Sequence, residues 1–152
     1  MRDDDLDRIE QALAQLVRLV GSRRIHEERA RATGIDLSRT ALRFLNHVAD
    51  SGPVAVTRIA EVMDMSQPTA SRVLAGLETD GLVARVADPG DARVVRYETT
   101  AKGRKARERY QSENRAALTK TLEGTPAAKL SALADNVEEL VHRMQQTGDA
   151  GT

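Results

Sequence analysis

The sequence has 152 residues, with 23 basic and 23 acidic side chains, no cysteine, no tryptophan, two tyrosines and one phenylalanine. The absence of cysteine excludes disulfides, thiolate metal sites, cysteine nucleophiles and thiol redox sensors. Three widely separated histidines, at 26, 47 and 142, argue against a zinc or iron centre. No apolar run approaches the roughly 18 residues needed to cross a bilayer. The acidic start Met1-Arg2-Asp3-Asp4-Asp5 lacks an apolar signal core, so one cytoplasmic domain of ordinary size is expected. Zero net charge argues at first against nucleic acid, because phosphate binding needs a positive surface.

In chain order, Leu6, Ile9, Leu13, Leu16, Val17 and Val20 recur at helical spacing. Asp3, Asp4 and Asp5 stand where a helix N-terminus favours negative charge. That helix is expected to run on through Ile25 to about Ala32, with Gly34 as its stop. Ser38 is the expected cap of a second helix reaching about Asp50, with Leu42, Leu45 and Val48 on one face. Ser51-Gly52-Pro53 breaks it.

Residues 57–63 read as a short helix with Ile59, Ala60 and Met63 inward, followed by a turn at Asp64-Met65. Ser66 then caps another helix that tolerates Pro68 in its first turn. Ala70, Val73, Leu74 and Leu77 form its inner side, and Gly81 ends it. The period next changes. Residues 82–86 and 93–97 are strand-like, and Asp88-Pro89-Gly90-Asp91 between them has turn chemistry. Thr99 or Thr100 can cap a long helix to about Leu122. Gly124 breaks it, and Thr125-Pro126 serves as cap and first residue of a last helix. Its apolar stripe, Leu130, Leu133, Val137, Leu140, Val141 and Met144, is close to a heptad seam and is expected to be a dimer interface. The tail from Gly148 to Thr152 is expected to fray.

The fold expected is therefore mainly α with a small β-hairpin wing: a winged helix-turn-helix flanked by N- and C-terminal dimerisation helices. The expected division is 1–52 for the N-terminal dimerisation and support helices, 53–100 for the winged region and 101–152 for the C-terminal dimerisation helices. A narrow second helix with small or polar residues outward suits a DNA major groove, and a wing can reach the neighbouring minor groove. The outward positions Gln67, Pro68, Thr69, Ser71 and Arg72 meet that requirement beside Ser66. Gln pairs with adenine, Arg with guanine or phosphate, and Ser and Thr with phosphates. The charge that cancels in the sum is unevenly placed: residues 101–115 carry six basic and two acidic groups, and 19 of the 23 cations are Arg.

Residues 36–107 resemble the MarR family of bacterial transcription regulators. The resemblance is carried by Pro53 through Ala60, Ser66-Gln67-Pro68-Thr69-Ala70-Ser71-Arg72, and Leu77 through Arg85. The wing Asp88-Pro89-Gly90-Asp91-Ala92-Arg93 and Thr100-Ala101-Lys102-Gly103-Arg104 extend it. It implies a homodimer on palindromic double-stranded DNA, usually a repressor, with Arg93 of each wing in a minor groove and Asp91 bracing a nearby arginine, Arg72 or Arg85. It further implies a small-molecule effector between the dimer helices and the winged region. His26, His47 and Tyr110 are the candidates for lining such a pocket, although surface or packing roles are the commoner fate of such residues. Gly90, Ala92, Asp64 and Ala55 depart from the family pattern.

No phosphate loop, nucleophile elbow or His–Ser pair suggests an enzyme, and no cofactor is implied. The competing expectation is a helical dimerisation or adaptor protein that keeps the winged fold without binding DNA. The net charge of −2 over residues 53–100 favours it. The positions of Arg72 and Arg93 oppose it.

Overall fold

Gly21 and Ser22 divide the expected first helix into α1 (Asp3–Val20) and α2 (Arg23–Thr33) in this computed structural model, which describes residues 3–91 and 93–149, the side chains of 148 and 149 excepted. Ser22 adopts an extended backbone and its hydroxyl accepts the Ile25 amide at 3.3 Å, a serine N-cap. The Arg39 guanidinium donates to the Gly21 carbonyl. A 3.6-residue apolar period can continue across one capping residue, so spacing concealed the break. Gly34 ends α2 in the left-handed region, as expected.

Ser38 caps α3 (Arg39–Ser51), accepting the Ala41 amide at 3.1 Å. A two-residue strand, β1 (Val54–Ala55), follows, too short to leave a periodic signal. It leads directly into α4 (Val56–Val62). The turn to α5 (Gln67–Thr79) runs through Asp64, whose φ of 52° is the one positive value at a non-glycine among the described residues. Aspartate tolerates this conformation better than most side chains.

The hairpin is present, but its strands are β2 (Val83–Ala87) and β3 (Val95–Thr99), one to two residues later than expected. The Val94 amide donates back to the Asp91 carbonyl at 2.9 Å, which keeps residues up to Val94 in the turn. With β1 the hairpin completes an antiparallel sheet of order β1-β3-β2, with Tyr97 opposite both Val54 and Arg85. Thr100, rather than Thr99, caps α6 (Ala101–Thr121), its hydroxyl accepting the Gly103 amide at 3.0 Å and donating to the Gly81 carbonyl at 2.6 Å.

Pro126 precedes α7 (Ala127–Asp149) instead of opening it, since its carbonyl accepts the Lys129 and Leu130 amides. The helix includes Gly148 and Asp149, which were expected to fray. The rest of that tail, residues 150–152, lies outside the described residues, as do Met1, Arg2 and Ala92.

By its contacts the chain forms two units, residues 1–114 and 115–152. The first holds the core. Phe44, Leu45 and Val48 of α3, Ile59 of α4, and Ala70, Leu74 and Leu77 of α5 are buried with Val83, Tyr97, Ala106 and Tyr110. Burying one such large apolar side chain contributes about 1.5–3 kcal/mol. These helices are therefore held by one another and by the sheet. Gly103 permits the closest approach: a Cβ there would lie 2.0 Å from the Leu82 carbonyl oxygen. In the second unit the apolar stripe of α7 is largely open, with Leu133, Val137, Val141 and Met144 exposed.

Candidate nucleic-acid interface

Helix α5 buries Ala70, Leu74 and Leu77 and leaves Ser66, Gln67, Pro68, Thr69 and Arg72 exposed, with Ser71 partly so. The polar row follows directly from the apolar one, because the two occupy opposite sides of a 3.6-residue period. Ser66 holds the N-cap position, yet its hydroxyl reaches no helix amide. It pairs with the Thr69 hydroxyl at 2.9 Å. The expected side-chain cap is thus corrected to a hydroxyl pair at the start of the helix.

Arg72 has no carboxylate within 4.0 Å among the described residues, so neither Asp80 nor Glu78 ties it down. Glu78 is instead engaged by Arg85 at 2.9 Å, and that guanidinium also lies 5.7 Å from the centre of the Tyr97 ring. This distance is within cation–π range.

The wing corrects a second expectation. Asp91 braces neither Arg72 nor Arg85. Its carboxylate accepts the backbone amide of Arg93 at 2.9 Å. The carboxylate that does hold an arginine is Asp88. One oxygen accepts the amides of Gly90 at 2.7 Å and Asp91 at 3.1 Å, and the other accepts Nε of Arg96. Arg96 also donates to the Pro53 carbonyl at 3.2 Å. The Gly90 amide foremost, and then Arg96, hold the Asp88 carboxyl below the ordinary aspartate range. Arg93 stands exposed at the turn, and among the described residues its guanidinium meets no carboxylate. Sequence reasoning passed over Asp88 and Arg96 as functional residues. No sure signal for them lay in the sequence, since Asp88 falls diagonally across the hairpin from Arg96 only in the register that β2 and β3 adopt.

The basic start of α6 is largely tied to the backbone around it. Lys102 donates to the Asp80 carbonyl at 2.6 Å, Arg104 to the Thr99 carbonyl at 2.7 Å, and Arg107 pairs with Asp50. Three of its cations, Lys102, Lys105 and Arg109, line a cavity of about 640 Å³ together with Ile35, Leu37 and Leu82.

None of the three residues expected to form an effector pocket lines that cavity. Tyr110 is buried and its hydroxyl donates to the Ile35 carbonyl at 2.7 Å, so it is a satisfied core residue. His47 lies 3.5 Å from the Ser51 hydroxyl on the same helix, and His26 is partly buried on α2. Spacing placed these side chains on helices but could not show which way each faced. Among the described residues no group of three His, Asp or Glu could hold a metal ion, and no helix is long and apolar enough to cross a membrane.

Two helices joined by a tight turn, followed by a hairpin whose turn exposes Arg93, define a winged helix-turn-helix protein. Residues 35–94 match the sequence model of the MarR family. No relative among curated proteins matches the sequence.

Solved structures share the fold. A MarR-family protein from Bacillus stearothermophilus superposes with a TM-score of 0.83 at 20% identity, over 95% of this chain and 99% of that one. FabT of Streptococcus pneumoniae, solved in complex with DNA, gives 0.71 at 19% identity over 93% and 98%. The YusO protein of Bacillus subtilis gives 0.70 at 21% over 93% and 99%.

Proposed function

We propose that the chain is a sequence-specific, DNA-binding transcriptional regulator, a repressor that works in the cytoplasm as a homodimer on a palindromic operator. One observation carries the proposal. The exposed side of α5 is a row of hydrogen-bonding side chains ending in Arg72, which no carboxylate neutralises among the described residues. Gln67 is assigned to an adenine edge and Arg72 to guanine or phosphate, while Ser66, Thr69 and Ser71 take phosphates. Pro68 sets the first turn of the helix. Arg93 enters the minor groove, with its backbone steadied by Asp91.

The functional division we assign is 1–52 and 101–152 for dimerisation and 53–100 for DNA. The open apolar faces of α1 and of α7 support it. Release by a small-molecule effector is assigned to the cavity with Lys102, Lys105 and Arg109, whose three cations outnumber Asp36 and Asp80 on its wall and suit an anion.

Binding to DNA upstream of the chain's own gene tests the proposal. Gln67→Ala is expected to relax preference at one base pair, at a cost of about 1–3 kcal/mol there. Arg93→Ala should weaken binding across sequences, most at A·T-rich wing sites where the narrow groove attracts arginine. Unchanged affinity in Arg93→Ala would remove the wing from the interface.

A further inference from the structure

We infer that Asp88, acting through Arg96, is the positioning residue of the wing, holding its tip so that the Arg93 guanidinium is presented to DNA. This rests on the DNA-binding reading above and goes beyond it, because the resemblance assigns bracing to Asp91. A continuous chain of bonds carries the inference. The Gly90 and Asp91 amides at the tip donate to one Asp88 oxygen, the other oxygen accepts from Arg96, and Arg96 donates to the Pro53 carbonyl ahead of β1. The tip is thereby tied to the strand that leads straight into α4.

Asp88 is the less exposed partner of the pair, at 12% against 40% for Arg96. Its charge is engaged on both oxygens and is not offered to the phosphates. Bonds between charged groups are about twice as strong as neutral ones and directional, so the pair can fix an angle as well as a distance. Arg93, five residues beyond Asp88, has its amide held by Asp91, and among the described residues its guanidinium meets no carboxylate.

A double-mutant cycle on the full-length protein tests this, using the upstream DNA that the wild type binds. Asp88→Ala should weaken binding about tenfold, the loss expected when a charge-assisted bond no longer holds the contact. In an Arg93→Ala background the same change should cost less than about twofold, because the group being positioned is gone. Arg96→Gln leaves the Gly90 and Asp91 bonds in place and should show the same coupling with a smaller loss. It serves equally if Asp88→Ala does not fold. Equal losses in both backgrounds, with a matching fall in Tm, would make Asp88 a structural residue only and overturn the inference, as would no loss in either. A wild type that binds no DNA would overturn the DNA-binding reading and this inference together, whereas binding without coupling overturns this inference alone.

Discussion

The winged region and the terminal helices use the same apolar residue types at the same helical spacing and end in opposite states. In α3, α4 and α5, residues Phe44, Leu45, Val48, Ile59 and Leu74 are completely buried. In α1 no residue is buried, and Leu16, Val17 and Leu19 are more than half exposed. The stripe on α7 behaves like that of α1. Periodicity shows that a helix has an apolar face. It does not show whether the covering surface belongs to the same chain. Helices α3, α4 and α5, the sheet and the start of α6 cover one another, whereas α1 and α7 present exposed apolar side chains.

Four measurements break or sharpen this contrast. The largest effect is expected in the self-covered region: Phe44→Ala should destabilise the chain by about 3–5 kcal/mol in denaturant unfolding, because it leaves a cavity in a closed core. The open faces should respond in association instead. Val137→Asp with Val141→Asp should weaken dimerisation at least about a hundredfold, roughly 3 kcal/mol, in sedimentation equilibrium. The winged region's near-ultraviolet signal should stay unchanged. If the double variant unfolds, α7 is part of a closed core and the contrast fails.

A smaller effect is expected at the start of α6. Gly103→Ala places a methyl group against the Leu82 carbonyl and should cost about 1–3 kcal/mol by overpacking. The smallest concerns acid. Asp88 is held below its ordinary value in the folded chain, so its contribution is complete above the unfolded value of about 3.9. It is lost only as pH falls through the lower folded value. Amide exchange at Gly90 and Asp91 should therefore show no added opening between about pH 7 and 5, and should rise below about pH 4 relative to the same amides in Asp88→Ala.

Much of this was legible in the sequence. Ser38, Gly34, Pro68, Gly81 and Thr100 each act through local backbone chemistry, so the helix order and the outward row on α5 follow from short-range rules. The two-residue β1 was not legible, because its pairing with Tyr97 and Arg96 is a matter of register between distant segments. The Gly21-Ser22 break was hidden because one capping serine does not interrupt an apolar period. In the site, the polar positions of α5 could be read from spacing alone. The bracing of the wing could not, since Asp88 and Arg96 meet only when β2 and β3 are correctly aligned. The direction of Tyr110 was hidden for a related reason: its hydroxyl meets the Ile35 carbonyl, a partner 75 residues away that composition does not reveal.

Net charge is the weakest guide of all in this chain. It is zero in the sum, yet among the described residues Arg72 and Arg93 meet no carboxylate, and the proposed dimer would present each of them twice. The salt dependence of binding to the chain's own upstream DNA tests that account most directly. If the dimer neutralises roughly eight phosphates, log affinity should fall linearly with log salt at a slope of about −7. No binding at low salt, or binding indifferent to salt, would contradict it and leave a winged dimer that serves as an adaptor.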